Sequence, residues 1–217
     1  MMVLPKLLFE NERVRVSDVR LSPGESIQTT LGFPTVRWQV DDGWHKGGPD
    51  DDDDNGPVQV HDKQVIFDES GSICEIENAG QEIYRQVWFE IKREPSRTEE
   101  QVQKALSEAI YTTDVGTQLL LENRWCRVWD FYLEPGEGDP HEPHHHVLDY
   151  VFVYVAKGRL LGYSHNGEPG LFDSVNNDGD VTWFDIPPGA ENDVHHAHAG
   201  KNGYDDLPMR EYLVELK

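Results

Sequence analysis

At 217 residues the chain can hold one large domain or two small ones, each able to bury a core. Its 41 Asp and Glu against 19 Lys and Arg give a formal net charge of -22, which repels nucleic acid and anionic membrane surfaces and argues against both as partners. No apolar run approaches the roughly 20 residues of a membrane span, and Cys74 and Cys126 are too few for a disulfide framework.

The N-terminal stretch meets Pro5, Lys6 and Glu10 before any long apolar run, so no export signal is read and the expected location is the cytoplasm. Arg13 to Leu21, RVRVSDVRL, alternates as a half-buried strand does, and the PGE that follows supplies a turn. Pro49 to Val58, PDDDDDNGPV, reads as a solvated loop. Its five successive carboxylates lack the alternating ligand spacing of a calcium loop. Ser96 to Tyr111 places apolar residues at Val102, Ala105, Leu106, Ala109 and Ile110, which is helical spacing, with Thr98 and Gln101 as a capping box. Beyond it CRVWDFYL and YVFVYVAKG are again strands, the second closed by Gly158.

The chain repeats itself. Leu7 to Glu25 aligns without a gap on Leu119 to Glu137, with 11 of 19 positions identical. The copies also end alike, Tyr84 to Lys92 matching Met209 to Lys217 at Arg85/Arg210, Glu90/Glu215 and Lys92/Lys217. Two β-units, residues 1–95 and 113–217, are therefore expected, joined by a helical linker over 96–112. Many short strands with Gly and Pro turns point to sandwiches or barrels.

Histidines concentrate in the second copy. HEPHHHVLDY, His141 to Tyr150, has four within six residues, and VHHAHAGKN supplies His195, His196 and His198 after a Pro-Gly turn. Strand parity puts His144 and His146 on one face, where two imidazoles can grip one ion, and His145 on the other. His141 and His145 are expected to be exposed. The first copy contrasts: laying Gly43 on Gly158 puts Thr29 and Leu31 where His144 and His146 stand, and GSICEIENAG has Cys74 and no histidine.

These segments resemble the cupins. PGEGDPHEPHHHVLDYVFVYVAKG is similar to the first cupin motif, a glycine before an H-x-H pair and a second glycine closing the next strand. GDVTWFDIPPGAENDVHHAHAGKN is similar to the second, with a Gly-Asp start, a P-x-G turn at Pro187 to Gly189 and a later histidine followed by Asn. With the duplication, the resemblance implies an all-β bicupin of two tandem jelly-roll (double-stranded β-helix) barrels joined by a short helix, with the metal motif only in the C-terminal one. The family's usual glutamate ligand falls on Val151, which leaves a three-histidine site. His144 and His146 would be joined by one of His195, His196 and His198. His198 is preferred because His198 and Asn202 keep the family's H-x3-N spacing, but all three stay candidates.

Implied with this is one divalent transition metal per chain, with Fe, Zn, Ni, Mn and Co all open. The leading functional reading is a metal-dependent, oxygenase-like enzyme, in line with the dioxygenases of the family it resembles, acting on a small molecule in the C-terminal barrel; the runner-up is a non-catalytic small-ligand binding or sensing cupin. A homodimer is also implied, with Trp38 and Trp88 as contact candidates. Asp149 is given a supporting place beside the ligands. Tyr150, Phe152 and Tyr154, or Trp183 and Phe184, are candidate pocket residues, and Cys126 is read as an ordinary buried strand cysteine.

Overall fold

The computed structural model describes residues 2–47 and 56–217, so the acidic run at 49–55 lies outside the described residues. The chain divides into two compact units, one ending at Glu94 and the next running from Pro95 to Lys217. In the first, the strands are β1 (Lys6–Glu10), β2 (Val14–Leu21), β3 (Ser26–Thr30), β4 (Thr35–Gln39), β5 (Gly43–Lys46), β6 (Val58–Val60), β7 (Val65–Asp68), β8 (Ile73–Asn78) and β9 (Tyr84–Ile91). The second has α1 (Glu99–Glu108), then β10 (Gln118–Glu122), β11 (Cys126–Leu133), β12 (His144–His145), β13 (Asp149–Tyr154), β14 (Gly158–Ser164), β15 (Pro169–Asn176), β16 (Val181–Phe184), β17 (Ala197–Asn202) and β18 (Met209–Leu216).

Each unit is a pair of antiparallel sheets. The first has a five-stranded sheet ordered β1-β2-β9-β4-β7 and a four-stranded one ordered β3-β8-β5-β6; the second has β10-β11-β18-β13-β16 and β12-β17-β14-β15. Adding nine to every strand number of the first unit gives the second. The duplication therefore reaches topology, and it reaches defects too: β1 on β2 shifts register between Leu7 and Phe9, and β10 on β11 shifts between Leu119 and Leu121, the aligned positions.

The conserved polar residues of the repeat hold turns and strand ends. Asn11 Oδ1 accepts from the amides of Arg13 and Val14, and Asn123 Oδ1 from those of Trp125 and Cys126. Asn78 donates to the Leu21 and Glu82 carbonyls, as Asn202 does to those of Leu133 and Leu207, so each ties the end of β2 or β11 to the turn before the last strand. Across the large sheets Asp18 pairs with Arg85 and Asp130 with Arg210. Such groups are buried only because they are paired.

The first unit's core spans both of its sheets, from Val19 and Leu21 through Ile27, Leu31, Cys74 and Ile76 to Tyr84 and Trp88. Strand β8 shows why: Cys74, Ile76 and Asn78 are buried while Ile73, Glu75 and Glu77 are exposed, the period of two that one core-facing sheet imposes. Each such apolar side chain contributes roughly 1.5–3 kcal/mol when fully buried. Trp88 belongs to this core and Trp38 is wholly buried, which removes both as exposed contact residues for a partner. Both suit their strands better as burial than as interface, because indole rings remove more apolar surface from water than any other side chain.

Helix α1 begins at Thr98, whose side chain accepts from the Gln101 amide while the Gln101 side chain accepts from the Thr98 amide. That is the predicted capping box, in a helix shorter than the Ser96 to Tyr111 expectation. The strand-like φ and ψ of Ala109 end it. Its buried face, Val102 and Ala105, packs on Val147 and Leu148 within the second unit. No helix among the described residues is long and apolar enough to cross a membrane.

Candidate metal centre

Strand β12 is only two residues long and pairs antiparallel with β17, His144 opposite His198 and His145 opposite Ala197. This register puts His144, His146 and His198 on the inner face of the small sheet. One ligand nitrogen from each lies within 4.8 Å of the other two, and among the described residues no other group of three or more His, Cys, Asp or Glu is so arranged. Nε2 of His144 and Nε2 of His146 stand 3.2 Å apart. Two imidazoles on one tetrahedral or octahedral ion at about 2.0–2.1 Å hold their nitrogens about 2.8–3.4 Å apart, so the spacing fits a shared cation.

Burial tunes the three rings the same way. It pushes His144 and His146 well below the ordinary histidine range, with His198 adding to the shift of both, and brings His198 down to about 4. At neutral pH all three are uncharged, the state a metal ligand needs. Tyr150 stacks on His146 with ring centroids 3.9 Å apart, and Phe172 meets His198 edge-on at 5.8 Å, so aromatic walls fix two of the three rings.

His145 corrects the sequence reading. It is on the opposite face, as parity requires, but it is fully buried rather than exposed. Its Nδ1 accepts from the Tyr111 amide and its Nε2 meets the Asp193 carbonyl at 3.1 Å, so the ring bridges two loop segments. His141 is exposed as expected. His195 and His196 sit in a short 3-10 turn, Val194–His196, outside the cluster, although both line the adjoining cavity. Asp149 Oδ1 accepts from the Ile186 amide at 2.8 Å, and its carboxylate is not among the groups lining that cavity.

The cavity beside the three histidines measures about 530 Å3. Tyr150, Phe152 and Phe184 of the predicted pocket aromatics line it, Trp183 and Tyr154 do not, and Phe131, Phe172 and Leu213 add apolar wall. Strands β15 and β16, the edge strands of the two sheets, both contribute, and each carries an exposed apolar residue there, Leu171 and Phe184. Two ionisable groups outside the histidine segments line it, the exposed Asp185 and the buried Glu211; sequence reasoning did not single out Glu211. The one cue was its partner in the repeat, since Gln86 stands at the matching position of the first copy.

The first unit has the same address without the ligands. Thr29 lies opposite Cys74 in the register that places His144 opposite His198, so Cys74 corresponds to His198 and Leu31 to His146. Leu31 and Cys74 are core residues, and the interior that forms a cavity in the second unit is here filled by Tyr84 and Trp88. Burial of the Cys126 thiol in the second unit pushes it up to about 12, as an inert strand cysteine requires.

Among solved structures the chain is similar to AerE from Microcystis aeruginosa, at 9% identity over 99% of this chain and 97% of that one with a TM-score of 0.56. It is similar also to a cupin 2 conserved barrel domain protein from Leptotrichia buccalis, at 11% identity over 99% and 88% of the chains with a TM-score of 0.49. A third is the oxalate decarboxylase of Bacillus subtilis, a protein with Mn(II) centres, at 12% identity over 94% of this chain and 69% of that one with a TM-score of 0.52. The fold is that of a bicupin. No family model matches the chain, and no curated protein does. The cluster of histidines able to hold a metal ion stands in the C-terminal barrel of this fold, against an apolar cavity.

Proposed function

We propose that the C-terminal barrel holds one divalent transition metal on His144, His146 and His198 and acts as an enzyme on a small, largely apolar molecule in the adjoining cavity. The observation that carries this is the convergence of three imidazole nitrogens within 4.8 Å at the wall of a 530 Å3 cavity. Bound there, the ion would keep its full positive charge among neutral ligands and supply Lewis-acid or, as iron, oxygen chemistry. Oxygenase-like turnover is the reading favoured, since three protein ligands leave open positions and no carboxylate stands at Val151 to complete the set.

The remaining work falls to the chain. Tyr150 and Phe172 hold the rings of His146 and His198 in place. The apolar wall of Phe131, Phe152 and Leu213 binds the body of the molecule and keeps water from it. The first barrel, with Thr29, Leu31 and Cys74 at the ligand addresses, holds no ion.

Elemental analysis of the purified chain tests the reading: about one transition metal per chain, lost in the double variant His144→Ala and His146→Ala. Two metals per chain, or unchanged metal in the double variant, would overturn it. Oxygen consumption by the metal-loaded chain over a panel of small apolar substrates then separates an enzyme from a ligand-binding protein.

A further inference from the structure

The inward row of β18 is Met209, Glu211, Leu213 and Glu215, for Met209 and Leu213 belong to the interior clusters and side chains alternate along a strand. Two of the four are buried carboxyl groups, 3% and 0% exposed. They are not equivalent. Glu215 Oε2 receives Nη1 of Arg127 at 3.0 Å and the Trp129 indole at 2.9 Å, and the first barrel repeats this pair as Glu90 with Arg15. That carboxylate is part of the framework.

Glu211 has no such partner. No cation faces it: the Tyr154 hydroxyl, with Ser174 and Asn176 around it, is the neutral neighbour of its carboxyl, and neither Glu211 Oε1, the Tyr154 hydroxyl nor Asn176 Nδ2 completes a well-aligned hydrogen bond. Ser174, Asn176 and Glu211 all line the cavity. In the first barrel the same pair of addresses, Gln39 opposite Gln86, is closed: Gln86 Nε2 donates to Gln39 Oε1 and to the Tyr84 hydroxyl, and its Oε1 accepts from the Trp88 indole. In the second, Tyr154 stands opposite Glu211 and the polar atoms are left over. The first barrel thus closes these addresses on one another, and the second leaves a carboxyl group facing its cavity.

We propose that Glu211 is the recognition group of this cavity and takes the ammonium of a small primary amine whose apolar chain lies along Phe152 and Leu213 toward the histidines. The donors of an ammonium match the oxygens of Glu211 and Ser174, both of which line the cavity. A neutral head group would leave the carboxylate unpaired in an apolar wall, whereas an ammonium pairs it. The net charge of -22 also raises the local concentration of small cations.

Strand geometry sets the length of the molecule. Tyr150 stacks on His146, and Tyr154, directly opposite Glu211, is four residues further along β13, about 13 Å at 3.3 Å per residue. The nitrogen therefore sits several bonds away from any atom that reacts at the histidines. This step rests on the proposed function, because the amine is taken as the molecule on which the metal centre acts.

Isothermal titration of the full chain with hexylamine, hexan-1-ol and hexanoate tests it. Hexylamine should bind at least about tenfold more tightly than the other two, and Glu211→Gln should bring it level with the alcohol. Equal binding of amine and alcohol by the wild-type chain, or an undiminished preference in Glu211→Gln, overturns the proposal; should the variant not fold, the wild-type series decides alone. In the metal-free His144→Ala/His146→Ala chain the preference for the amine should persist, which separates this proposal from the metal reading. Its loss there overturns the assignment by placing the nitrogen at the histidines.

Discussion

His198 on β17 lies directly opposite His144 on β12, and Cys74 on β8 lies directly opposite Thr29 on β3. One register, duplicated, thus yields a histidine pair in one barrel and a half-buried Thr facing a buried Cys in the other. The backbone is the constant and the side chains decide.

Single substitutions should rank the downstream histidines. His198→Ala removes one of three converging nitrogens, so metal affinity should fall by more than the 10–100-fold typical of a change beside a metal ligand. His195→Ala and His196→Ala alter the cavity lining and should leave metal content within error of the wild type. Metal content after dialysis, with the rise in Tm on adding metal back, measures all three. Retention of metal by His198→Ala would remove it from the centre.

The vestigial address should be recoverable. Thr29→His, Leu31→His and Cys74→His together place imidazoles at the positions of His144, His146 and His198. Two of these enter a packed core, where an oversized side chain costs about 1–3 kcal/mol. The triple variant should therefore bind a second metal per chain and melt lower than the wild type without metal. Elemental analysis still giving one metal would mean that Tyr84 and Trp88 leave the ion no room.

Much of this was readable in the sequence, for reasons that differ by residue. Period-two alternation and an 11-in-19 repeat fix strands and duplication, because both reflect local backbone geometry. His144 and His146 follow from parity alone. His198 is preferred in the sequence for its H-x3-N spacing with Asn202, and the β12–β17 register sets it opposite His144 while a 3-10 turn at Val194–His196 leaves His195 and His196 outside the cluster. The burial of His145 was missed because its partners, the Tyr111 amide and the Asp193 carbonyl, are 34 and 48 residues away in sequence. Glu211 was missed because a lone glutamate in a strand looks like a solvent-facing one until its strand's inner face is known.

The paired acids of the two large sheets should prove equally necessary. Asp18 is 4% and Asp130 0% exposed, held by Arg85 Nε at 3.0 Å and Arg210 Nε at 2.7 Å. Removing one member of a buried pair leaves the other charged, so Asp18→Ala and Asp130→Ala should each cost about 3–5 kcal/mol. Denaturant unfolding of the two variants, read by tryptophan fluorescence, checks this. A loss below about 1 kcal/mol would mean that water replaces the carboxylate.

Glu211 also predicts a pH dependence of stability. Burial pushes its carboxyl from the ordinary 4.5 up to about 7, the nearby Tyr154 hydroxyl pulling weakly the other way. The folded chain thus binds this proton more tightly than the unfolded one. Its contribution is fully present below pH 4.5 and is lost as the pH rises to 7, a cost that levels off at about 3 kcal/mol. Glu211→Gln does not titrate and keeps its stability over that window. The Tm of the variant minus that of the wild type, without added ligand, should therefore increase by about 5 °C or more between pH 5 and pH 8. A difference for Glu211→Gln that stays flat from pH 5 to pH 8 would mean that the folded carboxyl is already ionised and solvated at pH 5.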